Sequence, residues 1–366
     1  MSTPVVLVAA LDWGLGHAAR SIPLINLLKQ RDVKIILGSA GRAAQLWKDE
    51  YPELEHIELP AYDPSYPADG NMVWHMALQS KRLLGVIKEE GKALEALITK
   101  HGITHVISDN RYGLSNPTVP TAFITHQVNI RMPGIMRLFE PLVNYVNHDY
   151  INHFTRCWIP DWPAVPNLSG DLGHGKAITK KRYRYVGPLS RMTATLEVVE
   201  QVYEVVALCS GPEPQRSIFE QKLREQLASI PGRKLLVLGK PEIGKTIREE
   251  NGIEVAEHLG TEAMNEVMQQ AKTIVCRSGY STLMDLNALG LKAILIPTPG
   301  QPEQLYLGKR MAKLARHIRQ FQDERDLKAG IEKSNMLLSQ FSEHRKGPLS
   351  TALDELLYGN LKRRVH

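Results

Sequence analysis

The sequence predicts an α/β protein made of two Rossmann-like, doubly wound parallel-sheet domains. Three observations carry that expectation. At 366 residues the chain is long enough for two domains of ordinary size, each with its own core. In the first half, short apolar runs alternate with helical stretches, which is the βα rhythm of a parallel sheet. A strand at Tyr185 leads into the turn pair Gly187-Pro188, which interrupts the rhythm before it resumes. The expected divisions are 1–187, 188–345 and a tail at 346–366.

The elements follow in order. Residues 5–10, VVLVAA, read as a first buried strand, 12–20 as the loop after it, and the helix runs to about 31. A strand at 33–39, a helix around 42–48 and a strand at 56–61 repeat the unit. A long helix is expected over 74–100, then strands at 105–109 and 121–126. Helix follows at 135–154, with 156–160 the last strand of this half and a loop rich in Pro, Gly and Asp at 161–177. In the second half, strands are expected at 204–209, 235–238, 254–258, 273–277 and 294–296. The apolar positions Leu283, Leu286 and Leu289 recur at helical spacing, and Gly290 stops that helix. Residues 347–362 form an amphipathic terminal helix.

Composition excludes several classes. Hydrophobic residues make up 43% and charged residues 23%, as in an ordinary soluble globular protein. The net charge of +6 is shared evenly between the halves and forms no basic stripe, which argues against nucleic acid as a partner. Small clusters at 180–184 and 362–364 read as solvated surface, with contact to anionic lipid the minor alternative. Three widely spaced cysteines without a Cys-x-x-Cys pair point to reduced thiols in a cytoplasmic setting and to no structural metal. No run approaches the ~20 apolar residues that span a bilayer, so membrane contact is expected to be peripheral at most.

Two loops of the first half carry chemistry. In GLGHAAR, residues 14–20, Gly14 and Gly16 let a ligand approach the backbone, and His17 sits where the helix begins. An imidazole titrates near neutrality and can act as a general base. Taken alone, a Gly-x-Gly is also a plain turn. The second loop is SDNRYG, residues 108–113. Strand C-terminal ends share one edge in a parallel sheet, so Asp109 can meet His17 in one crevice and fix its tautomer. Asn110, Arg111, His126 and Gln127 are candidate acceptor-cleft residues. The aromatic stretch 62–75 is too long for a connector and is a candidate acceptor loop.

In the second half, residues 273–297 read as strand, tight glycine turn, helix N-terminus and strand. Such a turn offers free N–H groups and the positive end of a helix dipole to phosphate. Asp285, about one turn into the helix, could accept hydrogen bonds from ribose hydroxyls. On local chemistry alone the stretch fits an ordinary βαβ turn equally well. A rival motif, GKPEIGKT at 239–246, satisfies the P-loop pattern after an apolar strand. Its helix would be only a few residues long before Gly252, and no downstream strand ends in a magnesium-binding Asp.

The run CRSGYSTLMD at 276–285, followed by ALGLKAILIPTP and Glu303-Gln304, resembles the donor-site signature of the glycosyltransferase family 28 C-terminal domain. That family includes the N-acetylglucosaminyltransferase of peptidoglycan synthesis. The resemblance implies that Arg277, Ser278, Gly279, Ser281 and Thr282 face a nucleotide diphosphate, that Asp285 holds ribose and that Gln304 contacts the donor sugar. Ser210 and Gly211 correspond to the family's phosphate loop, and 259–264 to the segment facing the base. Asp285 stands where the family usually has Glu, and Glu303-Gln304 replaces a commoner Asp/Arg-Gln-Gln.

The Gly-x-Gly-His loop resembles the acceptor loop of GT-B glycosyltransferases, and His17 with Asp109 resembles the catalytic dyad of UDP-dependent members. The resemblance implies a GT-B fold whose terminal helix crosses back to the first domain. It implies inverting transfer from a UDP-sugar to a small-molecule or lipid-linked acceptor. The UDP-sugar would be a co-substrate, with no cofactor, and the absence of Asp-x-Asp leaves no call for a metal. A nucleotide-sugar 2-epimerase of the same fold and a P-loop nucleotide-binding protein are the alternatives.

Overall fold

The computed structural model describes residues 3–63, 72–175, 178, 181–195, 197–244, 246–314, 316–320, 322, 326–337 and 348–359. The first half contains β1 (Val5–Ala10), α1 (Gly16–Lys29), β2 (Lys34–Ser39), α2 (Gly41–Glu50), β3 (Glu55–Glu58) and α3 (Met72–His101). It continues with β4 (His105–Asp109), β5 (Thr121–Ile124), α4 (Glu140–Asn152), β6 (Arg156–Ile159) and β7 (Tyr183–Tyr185). The second half contains β8 (Tyr203–Leu208), α5 (Gln215–Leu227), β9 (Lys234–Val237), β10 (Ile247–Glu250), β11 (Ile253–Ala256) and α6 (Thr261–Gln269). After these come β12 (Ala271–Cys276), α7 (Tyr280–Leu289), β13 (Ala293–Leu295), α8 (Pro302–Lys313), β14 (Ile318–Arg319), α9 (Leu327–Asn335) and α10 (Leu349–Tyr358).

Each half builds one sheet. The first has the order β3-β2-β1-β4-β5-β6-β7, and the second β10-β11-β9-β8-β12-β13-β14. The first sheet is parallel throughout. Strands such as VVLVAA are apolar along their length because helices cover both faces. Two strands escape the sequence reading, while the strand expected at Tyr185 is β7. β7 extends the first sheet beyond β6, and the tiny edge strands β10 and β14 lack an apolar run to reveal them.

β10 also disposes of the P-loop. After Gly239 the chain makes one short 3-10 turn over Pro241–Ile243, and the segment after Thr246 is a strand antiparallel to β11. No helix stands there to hold phosphate on its dipole. Lys245 lies outside the described residues. Gly239 serves packing instead: it has φ +67°, and a Cβ there would come 2.8 Å from the Cys209 carbonyl oxygen.

In each sheet the order reverses beside a central pair, β1/β4 in the first and β8/β12 in the second, which is where α/β folds open a crevice. The two crevices face each other and the interface between them is closed. Thr261 donates through both N and Oγ1 to Glu50 Oε1, at 2.9 and 2.7 Å. Tyr280 Oη donates to the Pro160 carbonyl at 2.9 Å, and Arg310 to Asn167 Oδ1 at 2.7 Å. α10 lies against the first domain, where Arg31, just past α1, donates from Nε to Asp354 Oδ1 at 2.9 Å and Arg184 of β7 pairs with Glu355.

Candidate active site at the cleft between the two sheets

Between the crevices lies a cavity of about 840 Å³. Its first-domain wall comes from the β1–α1 loop, the β4 end and the segment after β5. Its second-domain wall comes from the β8–α5 turn, the α7 N-terminus and the start of α8.

β1 and β4 run side by side with Ala10 opposite Asp109, so both chain segments emerge at one point of the sheet edge. The turn at Gly14, φ +78°, delivers His17 into the first turn of α1. His17 Nδ1 then lies 2.8 Å from Asp109 Oδ1. Asp109 is 1% exposed. Burial would raise its pKa, but the charges of Arg20 and His17 overcome that and hold it near about 2. The carboxylate therefore accepts, Nδ1 carries the imidazole proton, and Nε2 is left as the basic nitrogen.

Sequence reasoning missed Arg20. It follows His17 by three positions on α1, so the two share a helix face, and that spacing was the available signal. Its Nε donates to Asp109 Oδ2 at 2.6 Å, its Nη2 pairs with Oδ1, and its Nη1 lies 3.1 Å from His126 Nδ1. His126 stacks face to face on Tyr280, with centroids 4.0 Å apart, and its Nε2 lies 2.7 Å from Glu303 Oε1 on α8. Gln127 Nε2 donates to the other oxygen of Glu303. His126 is thus engaged across the cleft as well as lining it. Asn110, at φ +59°, lines the cavity with an Oδ1 that has no partner among the described residues.

Gly16 needs its missing side chain for the opposite domain. A Cβ there would lie 3.0 Å from Ser281 Oγ, and that hydroxyl donates to the Gly16 carbonyl at 2.9 Å. Gly16 lines the cavity and at the same position admits α7. Gly14 has no atom within 4 Å of its would-be Cβ and faces open cavity.

On the second-domain side, Ser210, Gly211, Gly279, Ser281, Thr282, Asp285 and Gln304 all line the cavity. Gly279 precedes α7 in extended conformation, and the first N–H groups of that helix have no intrahelical acceptor. Gln304 Oε1 accepts from Thr298 N at 2.8 Å. Asp285 Oδ1 accepts from Ser190 Oγ at 2.6 Å, and burial, only partly offset by Arg191 and Ser190, pushes its pKa up to about 6.

Arg277 and Ser278 are corrections. Arg277 is 1% exposed and does not line the cavity. Its guanidinium donates to the carbonyls of Ile296, Pro297 and Gln215 and to Gln322 Oε1, and it stacks 3.8 Å from the Phe219 centroid. Burial in that setting lowers its pKa to about 9. Ser278 Oγ is spent on the Gln304 carbonyl at 2.8 Å. Both side chains tie strand ends together beneath the turn and do not face an anion. Arg277→Ala is therefore expected to lower stability by about 2–3 kcal/mol, through buried carbonyls left without donors. Urea denaturation measures the loss, and calorimetry of the folded fraction should find nucleotide affinity within about twofold of wild type.

Arg111 likewise leaves the list of cleft residues. It is fully buried, with Nε 2.6 Å from Glu90 Oε1 and other donors on the carbonyls of Ala10 and Pro60. Of the 62–75 stretch, residues 64–71 lie outside the described residues. Tyr62 is buried with its hydroxyl on Glu90 Oε2 at 2.6 Å. A 2-epimerase would need further carboxylates in the cleft. Among the described residues Asp285 and Glu303 line it, and both are already hydrogen-bonded to protein.

Comparison with known proteins agrees with this architecture. Residues 242–346 match the glycosyltransferase family 28 C-terminal domain. The chain is 24% identical over 340 residues to a UDP-N-acetylglucosamine–N-acetylmuramyl-(pentapeptide) pyrophosphoryl-undecaprenol N-acetylglucosamine transferase of Bifidobacterium adolescentis. That alignment covers 84% of this chain and 82% of the relative. Among solved structures, the glycosyltransferase of kitacinnamycin superposes with TM-score 0.61 at 16% identity, covering 99% of this chain and 97% of that one. SnogD, a glycosyltransferase from Streptomyces nogalater, gives 0.60 at 13% identity over 98% and 100% of the two chains. MurG of Acinetobacter baumannii gives 0.52 at 11% over 97% and 99%. The chain is a glycosyltransferase of the GT-B fold in which residues 242–346 match the family 28 C-terminal domain.

Proposed function

We propose that this enzyme transfers a sugar from a UDP-linked donor to an acceptor hydroxyl with inversion at the anomeric carbon. The observation that carries the reading is the His17–Asp109 pair, 2.8 Å apart, facing the α7 N-terminus across one cavity. His17 Nε2 takes the acceptor's proton as the acceptor oxygen bonds to the anomeric carbon. The bond from that carbon to the diphosphate oxygen breaks on the far side, so a single displacement inverts the centre. Asp109 steadies the imidazolium that forms. Negative charge grows on the departing diphosphate, where the N–H groups of α7 and the Ser210-Gly211 turn offer donors and a positive dipole end. The scheme invokes no metal ion.

The acceptor half of the cavity is apolar, with Leu11, Trp13, Leu83, Ile130, Met132 and Met136 on its walls. Just outside, Ile135, Leu138 and Leu142 are exposed. These features support an acceptor with a large apolar body, small-molecule or lipid-linked, met at the cytoplasmic face of a membrane without insertion. Among the described residues no helix is long and apolar enough to cross one.

Calorimetric titration with UDP tests the donor side. Asp285→Ala is expected to weaken UDP binding by about 1.5–3 kcal/mol, through loss of charge-assisted hydrogen bonds to ribose. Since Asp285 titrates near about 6, wild-type affinity should fall as pH drops through that value and the carboxylate gains a proton. Lys245→Ala serves as the control and should bind UDP normally. Unchanged affinity in Asp285→Ala would remove the ribose assignment, and abolished binding in Lys245→Ala would return the nucleotide to residues 239–246.

A further inference from the structure

Arg20 joins groups that the transfer reaction otherwise leaves unconnected. It is 2% exposed and carries only hydrogen-bond donors. Two of its nitrogens hold Asp109 and a third lies 3.1 Å from His126 Nδ1. A donor at that distance requires Nδ1 of His126 to accept, so the neutral ring carries its proton on Nε2. That proton points at Glu303 Oε1, 2.7 Å away on the second domain. At the other end, Asp109 requires the reverse assignment in His17, whose proton sits on Nδ1. Arg20 and the carboxylate it holds thus impose opposite tautomers on two histidines that line the same cavity.

We propose that Arg20 is a positioning residue with two tasks. By sharing Asp109 it draws part of that carboxylate's charge away from His17. By occupying Nδ1 of His126 it keeps that ring a neutral Nε2–H donor to Glu303, beside Gln304 at the donor wall, and so helps hold Glu303 to the acceptor domain. The proposal rests on His17 being the base of the reaction. The charged and titratable groups around His17 are Asp109 in direct contact, Arg20 on the far side of that carboxylate, and His126 and Glu303, which interact with it electrostatically. Burial opposes the charged form of His126, while Arg20 and the nearby Glu303 pull in opposite directions on it. A neutral, tautomerically fixed ring is what the clamp requires.

Ring-nitrogen NMR on histidine-labelled, substrate-free enzyme tests both tasks. In the wild type, His17 should appear as the Nδ1–H tautomer and His126 as Nε2–H. A His126 proton on Nδ1 overturns the clamp. In Arg20→Gln, Asp109 faces His17 uncompensated, so the His17 titration should move to higher pH. The acid limb of the kcat/KM profile should follow it. The double variant Arg20→Gln/Asp109→Asn should move both back. A His17 titration that stays in place in Arg20→Gln overturns the first task. Arg20→Lys keeps a buried cation but cannot reach both Asp109 and His126. It should leave Nδ1 of His126 without its donor and free to take a second proton, so the ring should become doubly protonated at a higher pH than in the wild type, and an unchanged ring overturns the second task even if Arg20→Gln does not fold. None of the ring measurements needs turnover. If His17 proves not to be the base, the ring titration still shifts while the kcat/KM limb does not, which separates failure of the reaction scheme from failure of the Arg20 assignment.

Discussion

His17→Ala is expected to lower turnover by about 10²–10⁴-fold, the usual contribution of a positioned general base. That factor corresponds to roughly 2.7–5.5 kcal/mol of transition-state stabilisation. UDP affinity should stay within about twofold, because the proposed scheme places the diphosphate on α7 of the second domain while His17 belongs to α1 of the first. Steady-state kinetics beside calorimetry of the same preparation checks the split. In the wild type, activity should be lost on the acid side, as Nε2 takes up a proton and can no longer accept one from the acceptor. Near-wild-type turnover in His17→Ala would make the glycine loop a mere wall of the cleft. Asp109→Asn needs care in this comparison. Besides releasing the His17 ring it strips Arg20 of its buried counter-charge, so its loss of rate comes together with a loss of stability.

The second large effect is structural. Arg111→Ala should destabilise the fold by about 3–5 kcal/mol, the cost of breaking a buried pair and leaving one charge behind. Arg111 and Glu90 are both fully buried, and Glu90 also accepts from Tyr62 Oη and the Gly113 N–H, at 2.6 and 3.0 Å. Burial raises the Glu90 pKa, and the charge of Arg111 opposes that rise more than any other neighbour does. Removing Arg111 lets that pKa climb further. A carboxyl whose folded pKa exceeds its unfolded value binds more protons in the native state, so stability then rises as pH falls. The deficit of Arg111→Ala, measured by urea denaturation, should therefore be largest near neutral pH and shrink on acidification. Arg111→Met/Glu90→Met should recover most of it, since two apolar side chains leave no charge unpaired. A deficit below about 1 kcal/mol in Arg111→Ala would mean that Glu90 reaches solvent.

Much of this arrangement was legible before any coordinates. Apolar runs such as VVLVAA and TIVC are strands because nothing else buries four to six consecutive apolar residues between helices, and the Gly290 stop is realised as a left-handed cap at φ +66°. The crevice was legible too, since the rule that parallel strands share an edge was enough to bring residues 17 and 109 together. Edge strands were not. β10 reads IREE, with no apolar pattern, because pairing on one side and solvent on the other ask nothing of its side chains.

Residue roles divide the same way. Sequence by itself determined the residue types at the cleft: a histidine after a glycine turn, an aspartate at the end of a neighbouring strand, and a glycine–serine turn before a helix. Only the tertiary structure decided where the charged side chains point. Arg277 and Arg111 occupy motif and loop positions like those of binding residues, yet both turn inward. Each finds buried backbone carbonyls, and a guanidinium with five donors can satisfy several at once. Arg20, on an unremarked helix turn, turns the other way and meets Asp109 from 89 residues along the chain. Direction of this kind depends on which partners packing brings within 3 Å, and that is a property of contacts distant in sequence.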